Sequence, residues 1–391
     1  MKAFDRIRFL RVVVGLALLA GLFCSHELWF PVTREFPRAP LFFEPPAGFV
    51  VAFERALAVV LTGALAATIF FGRSRVFPAL ALGALLLFAV FDQTRLQPWV
   101  CQYALLLAVA AFGNPRRNDD DAAANRTLGL AQTVVAMLYF WSGAQKLNYS
   151  FAHELLPKLF ENLFSTGNWP LGALALAIAL TEMLIGVGLL VRRTRKLAVC
   201  AAIAMHLTIL AALVAKDYNR VVWLWNAALI ALVAGLFRQS GVSIAEAFRG
   251  PAKRSEKLLA GIVAAAVLLP VLSFFGLWDM YLSGALYSGN TEIAVIRIDD
   301  ASFGKLPPKA RSVVFRVQTT GERMLPLFEW ALADLNVPAY PESRVSEQIA
   351  RAVCRMTEDK ASTELIVREK PGVFDGSWRL KRSGCPAPET P

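Results

Sequence analysis

Nine separate apolar runs, each close to the length a helix needs to cross a bilayer, leave this chain few folds to adopt. A span takes about 20 residues, and inside hydrocarbon only helices and closed barrels satisfy their own backbone. The runs lie at about Phe9–Cys24, Val51–Phe71, Val76–Phe91, Trp99–Phe112, Leu128–Lys146, Leu171–Val191, Leu197–Val214, Val221–Phe237 and Leu258–Trp278. Hydrophobic residues make up 56% of the chain, with a mean hydropathy of +0.48. Soluble domains sit nearer 45–50%. The expected fold is an α-helical polytopic membrane protein with about nine transmembrane helices over residues 1–280, followed by a separate domain at 281–391. The first run also has the basic start and short core of a signal peptide. No small-x-small cleavage site precedes Ser25-His26-Glu27, so a retained helix is the preferred reading. The following Pro- and aromatic-rich stretch, with Trp29, Phe30, Phe42 and Phe43, reads as an interfacial loop.

Charge placement gives these spans an orientation. The net charge is +11, yet from Tyr281 onward 15 basic side chains nearly balance 14 acidic ones. The excess therefore lies in the membrane part. With the N-terminus in the cytoplasm, the basic groups Lys2/Arg6/Arg8/Arg11, Arg73/Arg75, Arg116/Arg117/Arg126, Arg192/Arg193/Arg195/Lys196 and Arg238/Arg249/Lys253/Arg254/Lys257 share the inner side. The positive-inside rule then puts the C-terminal domain outside a cell membrane and predicts contact with anionic membrane lipids. Nucleic-acid binding is not expected, because no basic stripe is interleaved with aromatics on a soluble module.

The region from 281 alternates apolar and polar residues at Glu292–Ile298, Val313–Val317 and Thr363–Val367, which predicts strands. Phe328–Leu335 and Glu347–Met356 predict helices. The expected result is a small α+β extracytoplasmic domain without a hydrolase motif, phosphate loop or metal cluster. Of the five cysteines, Cys24, Cys101 and Cys200 lie in apolar segments and read as packing residues. Cys354 and Cys385 can pair if the domain faces an oxidising compartment.

Ionisable groups inside spans are functional candidates by default. Glu182 and His206 lie near the middle of consecutive runs joined by the turn Arg192–Lys196, so equal depth predicts a contact between them. The bland alternative is a polar pair that fixes helix packing. Asp92, Arg95 and Gln97 occupy a short turn, read as solvated with Asp92 paired to Arg95. Trp99, Trp141, Trp169, Trp223 and Trp225 read as interface anchors, and Lys158–Glu161 as a helix-surface pair. His153–Phe164 has the spacing of an amphipathic helix lying in the interface. Asp119-Asp120-Asp121 reads as a solvated turn, and three histidines in the whole chain do not suit a multi-histidine metal centre, so no metal is expected. Lys146 closes an apolar run. At a span end it can snorkel to the headgroups. A buried lysine held neutral can instead take a proton.

The stretch Tyr139-Phe140-Trp141-Ser142-Gly143-Ala144-Gln145-Lys146-Leu147-Asn148 resembles the motif of the vitamin K-dependent gamma-carboxylases and their bacterial HTTM-domain relatives. Phe91-Asp92-Gln93 through Gln97-Pro98-Trp99 is similar to that family too, as is a membrane Glu (Glu182), a basic turn and a membrane His (His206). The resemblance covers about residues 8–280. It implies that Lys146 is the catalytic base, with Glu182 and His206 shaping the site and Tyr139, Trp141, Asn148, Asp92 and Gln97 binding substrate. It further implies a reduced vitamin K, a menaquinol-type quinol, as cofactor, and lyase chemistry on a secreted peptide. Two departures stand out. The family carries a histidine near the start of the loop before the lysine helix, whereas this loop begins Gly113-Asn114-Pro115-Arg116-Arg117. The family's large propeptide-binding region is here only the C-terminal domain. Two other readings follow from the same residues: a non-enzymatic membrane scaffold whose outer domain binds a partner protein, and a DoxX-like quinone-linked redox subunit. A transporter fits less well, as no repeat or broken span is visible.

Overall fold

The computed structural model describes residues 3–42, 46–72, 74–113, 121–160, 170–237, 244–248, 253–357, 363–372 and 376–385. Among these described residues, nine long helices carry the N-terminal part: α1 (Ala3–Cys24), α2 (Ala47–Phe70), α3 (Val76–Phe91), α4 (Pro98–Phe112), α5 (Asp121–Gln145), α6 (Leu171–Leu190), α7 (Arg195–Ala215), α8 (Arg220–Phe237) and α9 (Arg254–Leu268). A 3-10 segment, Leu269–Phe275, extends α9. Six of them (α1, α2, α6, α7, α8 and α9 with its extension) are long and apolar enough to cross a membrane. Leu176, Leu180 and Leu184 on α6, and Leu197, Leu207 and Val214 on α7, are exposed on the outside of the bundle. Exposed apolar surface on that scale suits a lipid solvent.

The remaining three runs differ in physical character. Helices α3 and α4, of 16 and 15 residues, are apolar but short. Helix α5 is long, at 25 residues, but holds Asn125, Arg126, Thr127, Gln132 and Thr133. It tolerates them because it runs through the centre of the bundle, touching α1, α4, α6, α8, α9 and the short helix Ile244–Phe248. Thr133 closes onto Gly129 O, and Gln132 donates to Leu236 O at 2.7 Å.

The C-terminal part folds as a five-stranded antiparallel sheet of order β2-β3-β1-β4-β5, with β1 (Ile293–Ile298), β2 (Phe315–Arg316), β3 (Arg323–Pro326), β4 (Glu364–Arg368) and β5 (Leu380–Gly384). Helices α10 (Leu327–Leu335) and α11 (Ser343–Met356) both pack on the central strand β1. Ile296, Ile298, Leu325, Trp330, Ile349, Val353, Leu365 and Val367 are buried there. The expected strand at Val313–Val317 shrinks to two residues because the helix Pro308–Val313 occupies its start. Cys354 and Cys385 form a disulfide that ties α11 to the end of β5.

This domain is docked on the helices, and one continuous apolar core runs through both. Phe36 stacks edge-on against Trp330 at 5.0 Å. Asp334 accepts from the backbone N–H groups of Glu35 and Phe36 at 2.8 and 2.7 Å and pairs with Lys309. The stretch after α1, expected at a lipid interface, therefore buries Trp29 and Phe36 in protein. Phe43, Arg73, the loop 114–120 with Asp119 and Asp120, and Glu161, Leu163, Phe164 and Trp169 lie outside the described residues. Of the expected interfacial helix, a π-turn Phe151–Leu155 and a helical turn Leu156–Phe160 are described, with Phe151 and Leu156 buried against α6.

Candidate functional site

Two glycines set the geometry around Lys146. A Cβ on Gly143 of α5 would lie 2.5 Å from Ala179 O and 2.8 Å from Met183 N of α6. A Cβ on Gly186 of α6 would lie 2.7 Å from Ala136 O of α5. Only glycine admits backbones this close, the same device that joins membrane helices generally. Helix α5 ends at Gln145, so Lys146 falls in the turn just beyond the close approach, with its backbone N–H on Gly143 O at 3.0 Å. Its side chain folds back along α5 rather than outward. Nζ donates to Glu182 Oε2 at 2.7 Å, Ser142 Oγ at 2.8 Å and Ser142 O at 3.2 Å. The two side chains are 10% and 8% exposed. Snorkelling is therefore not what this lysine does, and its three N–H groups each have an acceptor.

Glu182 accordingly pairs with Lys146, and the expected Glu182–His206 contact gives way to a different arrangement of His206. Its Nε2 lies 2.6 Å from Tyr139 Oη and its Nδ1 lies 2.7 Å from Asn226 Oδ1. Asn226 Nδ2 donates to Val222 O, so its carbonyl oxygen faces the ring. Nδ1 must then carry the proton, and Nε2 accepts from the Tyr139 hydroxyl. Glu182 stays within electrostatic reach of both Tyr139 and His206. The result is two adjoining polar groups between α5, α6, α7 and α8: an ion pair, Lys146–Glu182, and a neutral chain, Tyr139–His206–Asn226.

The other predicted site residues are tied into the fold by hydrogen bonds and ion pairs. Asn148 donates to Gln145 O and Ser288 O and accepts from Phe151 N–H, pinning the turn after α5. Trp141 donates its indole N–H to Val267 O at 2.9 Å. Gln97 donates to Thr94 O and to Pro338 O of the C-terminal domain. Asp92 is fully buried and pairs with Arg34 at 2.7 Å, while accepting from the N–H groups of Ala39 and Thr94. Burial alone would raise its carboxyl, but Arg34 and Arg95 hold it below the ordinary carboxylate range. The turn is thus no solvated loop, and Arg95 bonds Glu54 at 2.5 Å with both side chains at 0% exposure. Arg95 also donates to Leu28 O and Phe88 O and lies over the Phe88 ring. Trp99 and Trp225 are core residues rather than interface anchors.

Ser142, Asn226, Glu54, Arg34 and Gln145 belong to these networks without having stood out in the sequence. Glu54 and Asn226 had a signal, a polar side chain inside an apolar run. Gln145 joins Ser273 and Asn290, links that only the folded chain creates. Among the described residues no group of three or more His, Cys, Asp or Glu is placed to hold a metal. Neither a family model nor any curated protein or solved structure matches the chain.

Proposed function

We propose that the chain is a multi-pass membrane protein whose Lys146–Glu182 pair is a proton-transfer centre for a lipid-phase acid, as its resemblance to the vitamin K-dependent gamma-carboxylases implies. One observation carries the reading: a lysine and a glutamate paired at 2.7 Å and nearly out of solvent, where the end of α5 meets α6. Such groups are costly to bury, and in membrane segments they mark proton or substrate paths. Glu182 can take the ammonium proton and leave a neutral amine. The amine then takes a proton from the substrate and leaves it as its anion, while the Glu182 carboxyl gives up to water the proton it received, so the ammonium–carboxylate pair is restored. The neutral Tyr139–His206–Asn226 chain beside it holds the pair's surroundings in one geometry. In this reading all nine long helices lie across the membrane, with the N-terminus in the cytoplasm. The C-terminal domain faces outward, which the basic inner loops and the Cys354–Cys385 disulfide support.

The resemblance names a reduced naphthoquinone as the acid. An apolar groove near Trp141 has a volume of about 50 Å³, and neither Lys146, Glu182 nor His206 lines it. Drug-sized ligands occupy roughly 300 Å³ or more. The groove is too small for a fused two-ring quinol and does not reach the pair, so a quinol would have to approach Lys146 from another side of the bundle. The test is to supply the purified chain with reduced vitamin K, or another quinol, and oxygen, and to follow epoxide and quinone formation. Lys146→Ala should abolish turnover, and turnover unchanged by that substitution removes Lys146 from the mechanism.

The saturation of all three Lys146 donors favours a second reading, in which the pair only clamps α5 to α6 and the docked outer domain of a scaffold binds a partner protein. No turnover with any quinol, together with capture of a single partner through the outer domain's surface, is the result this reading expects.

A further inference from the structure

The groove beside Trp141 has a chemistry of its own. It lies between α4, α5 and the chain at 270–284, and Gln102, Leu105, Val134, Leu138, Trp141 and Tyr281 are among its walls. Gln102 is 5% exposed, and its Oε1 accepts the Trp225 indole N–H at 2.6 Å. An indole nitrogen only donates, so this bond fixes which way the amide points. The NH2 end is left over, and Nε2 has no hydrogen-bond partner among the described residues. The indole of Trp141 is already spent on Val267 O and does not compete for an acceptor. Gln102 is one of the groove's walls, and a buried donor without a partner beside apolar space calls for a ligand that is apolar and carries an acceptor.

Depth and size narrow that ligand. Gln102 stands four residues from the start of α4 at Pro98, and Trp141 four residues before the end of α5 at Gln145. At about 1.5 Å per residue both lie roughly 6 Å from the same ends of the bundle. In the membrane reading proposed above, on which this inference rests, that is the level where headgroups meet hydrocarbon and where tryptophan concentrates. Lipid esters sit at this level. A volume of about 50 Å³ takes a carbonyl and a short stretch of chain, not a fused ring system. We propose that this groove is a glycerolipid site, in which Gln102 Nε2 donates a hydrogen bond to an acyl ester carbonyl while Leu105, Leu138 and Val134 cover the first methylenes.

The purified full chain is incubated with a diester phosphatidylcholine, with the matching diether lipid that lacks both carbonyls, and with menaquinone, and the lipid retained is read by native mass spectrometry. The diester should be retained over the diether by about fivefold to tenfold, the worth of one hydrogen bond. In the double variant Gln102→Met/Trp225→Phe, which leaves neither polar group unpaired, that preference should vanish. Equal retention of diester and diether by the wild-type chain overturns the proposal whether or not the variant folds. So does a preference that survives the double variant, or displacement of the diester by menaquinone, which would make the groove a quinone site.

Discussion

Lys146 and Glu182 are bound by energetics that separate the pair from its members. Removing one partner of a buried ion pair strands the other charge, whereas replacing both with apolar groups of similar volume is often neutral. Lys146→Met should therefore cost about 3 kcal/mol of stability, and Lys146→Met/Glu182→Leu should recover most of that, as thermal melting in detergent would register. If the double variant is as unstable as the single one, the pair matters through more than its charges. His206 offers a second residue-level expectation. Tyr139→Phe removes the hydroxyl that satisfies Nε2 and leaves a buried acceptor, at a cost of about 1–2 kcal/mol. Unchanged melting would mean that the Tyr139–His206 bond is not formed in solution. Glu182 and His206 were legible as buried polar groups because each interrupts an apolar run. Their partners were not. Depth along two helices is a matter of counting residues, but rotation about the helix axes decides that Glu182 meets Lys146 while His206 turns to Tyr139 and Asn226.

Helix α5 does most to position the site, and its packing against α6 rests on Gly143 and Gly186. Gly143→Ala should push the helices apart at the turn that carries Lys146. The expected loss is about 1–3 kcal/mol, with the Lys146–Glu182 bond lengthened or broken. Retained stability and retained crosslinking between positions 146 and 182 after cysteine substitution would contradict this packing. The apolar runs themselves were readable: each of the nine became a helix, six of them within four residues of the expected bounds, while α1 and α5 begin six and seven residues earlier and α9 ends ten residues short. How many cross a membrane was less so. Hydropathy rewards helices that face lipid, and α5 is polar because its neighbours are protein. The turn 92–97 misled for the reverse reason. A short polar turn reads as solvated, yet the C-terminal domain and residues 28–39 cover it and convert its charges into buried pairs.

At the scale of the whole molecule, the docked domain is held by groups that titrate. Glu342 accepts the Met280 backbone N–H where the sheet domain meets the helices. Burial lifts its carboxyl to about 7, helped by the nearby Asp279 and Glu292 and opposed by the Met280 bond and Arg344. A carboxyl raised in the folded state favours that state while protonated. Its contribution is full below about 4.5, the unfolded value, and is lost as pH rises through about 7. Partial exposure screens the effect to about 1–2 kcal/mol. Melting temperature should fall over that interval, and Glu342→Gln, which keeps the acceptor for Met280, should flatten the slope; a slope unchanged by Glu342→Gln would place the titrating group elsewhere. Strands β1 and β4 were legible from alternation and helices α10 and α11 from helical spacing, while β3 and β5 were not. The domain's docking was not legible either, because it depends on Asp334 accepting from Phe36, the Lys309 backbone N–H reaching Glu35, and Gln97 reaching Pro338, each hundreds of residues away. Whether the Lys146–Glu182 pair moves protons or merely holds two helices together separates the two proposed functions. The direct measurement compares quinol turnover in wild type, Lys146→Met and Lys146→Met/Glu182→Leu, each matched for folded fraction. Proton transfer by the pair predicts turnover in the wild type and none in either variant, although the double variant is stable. Turnover in the folded double variant equal to wild type would contradict it.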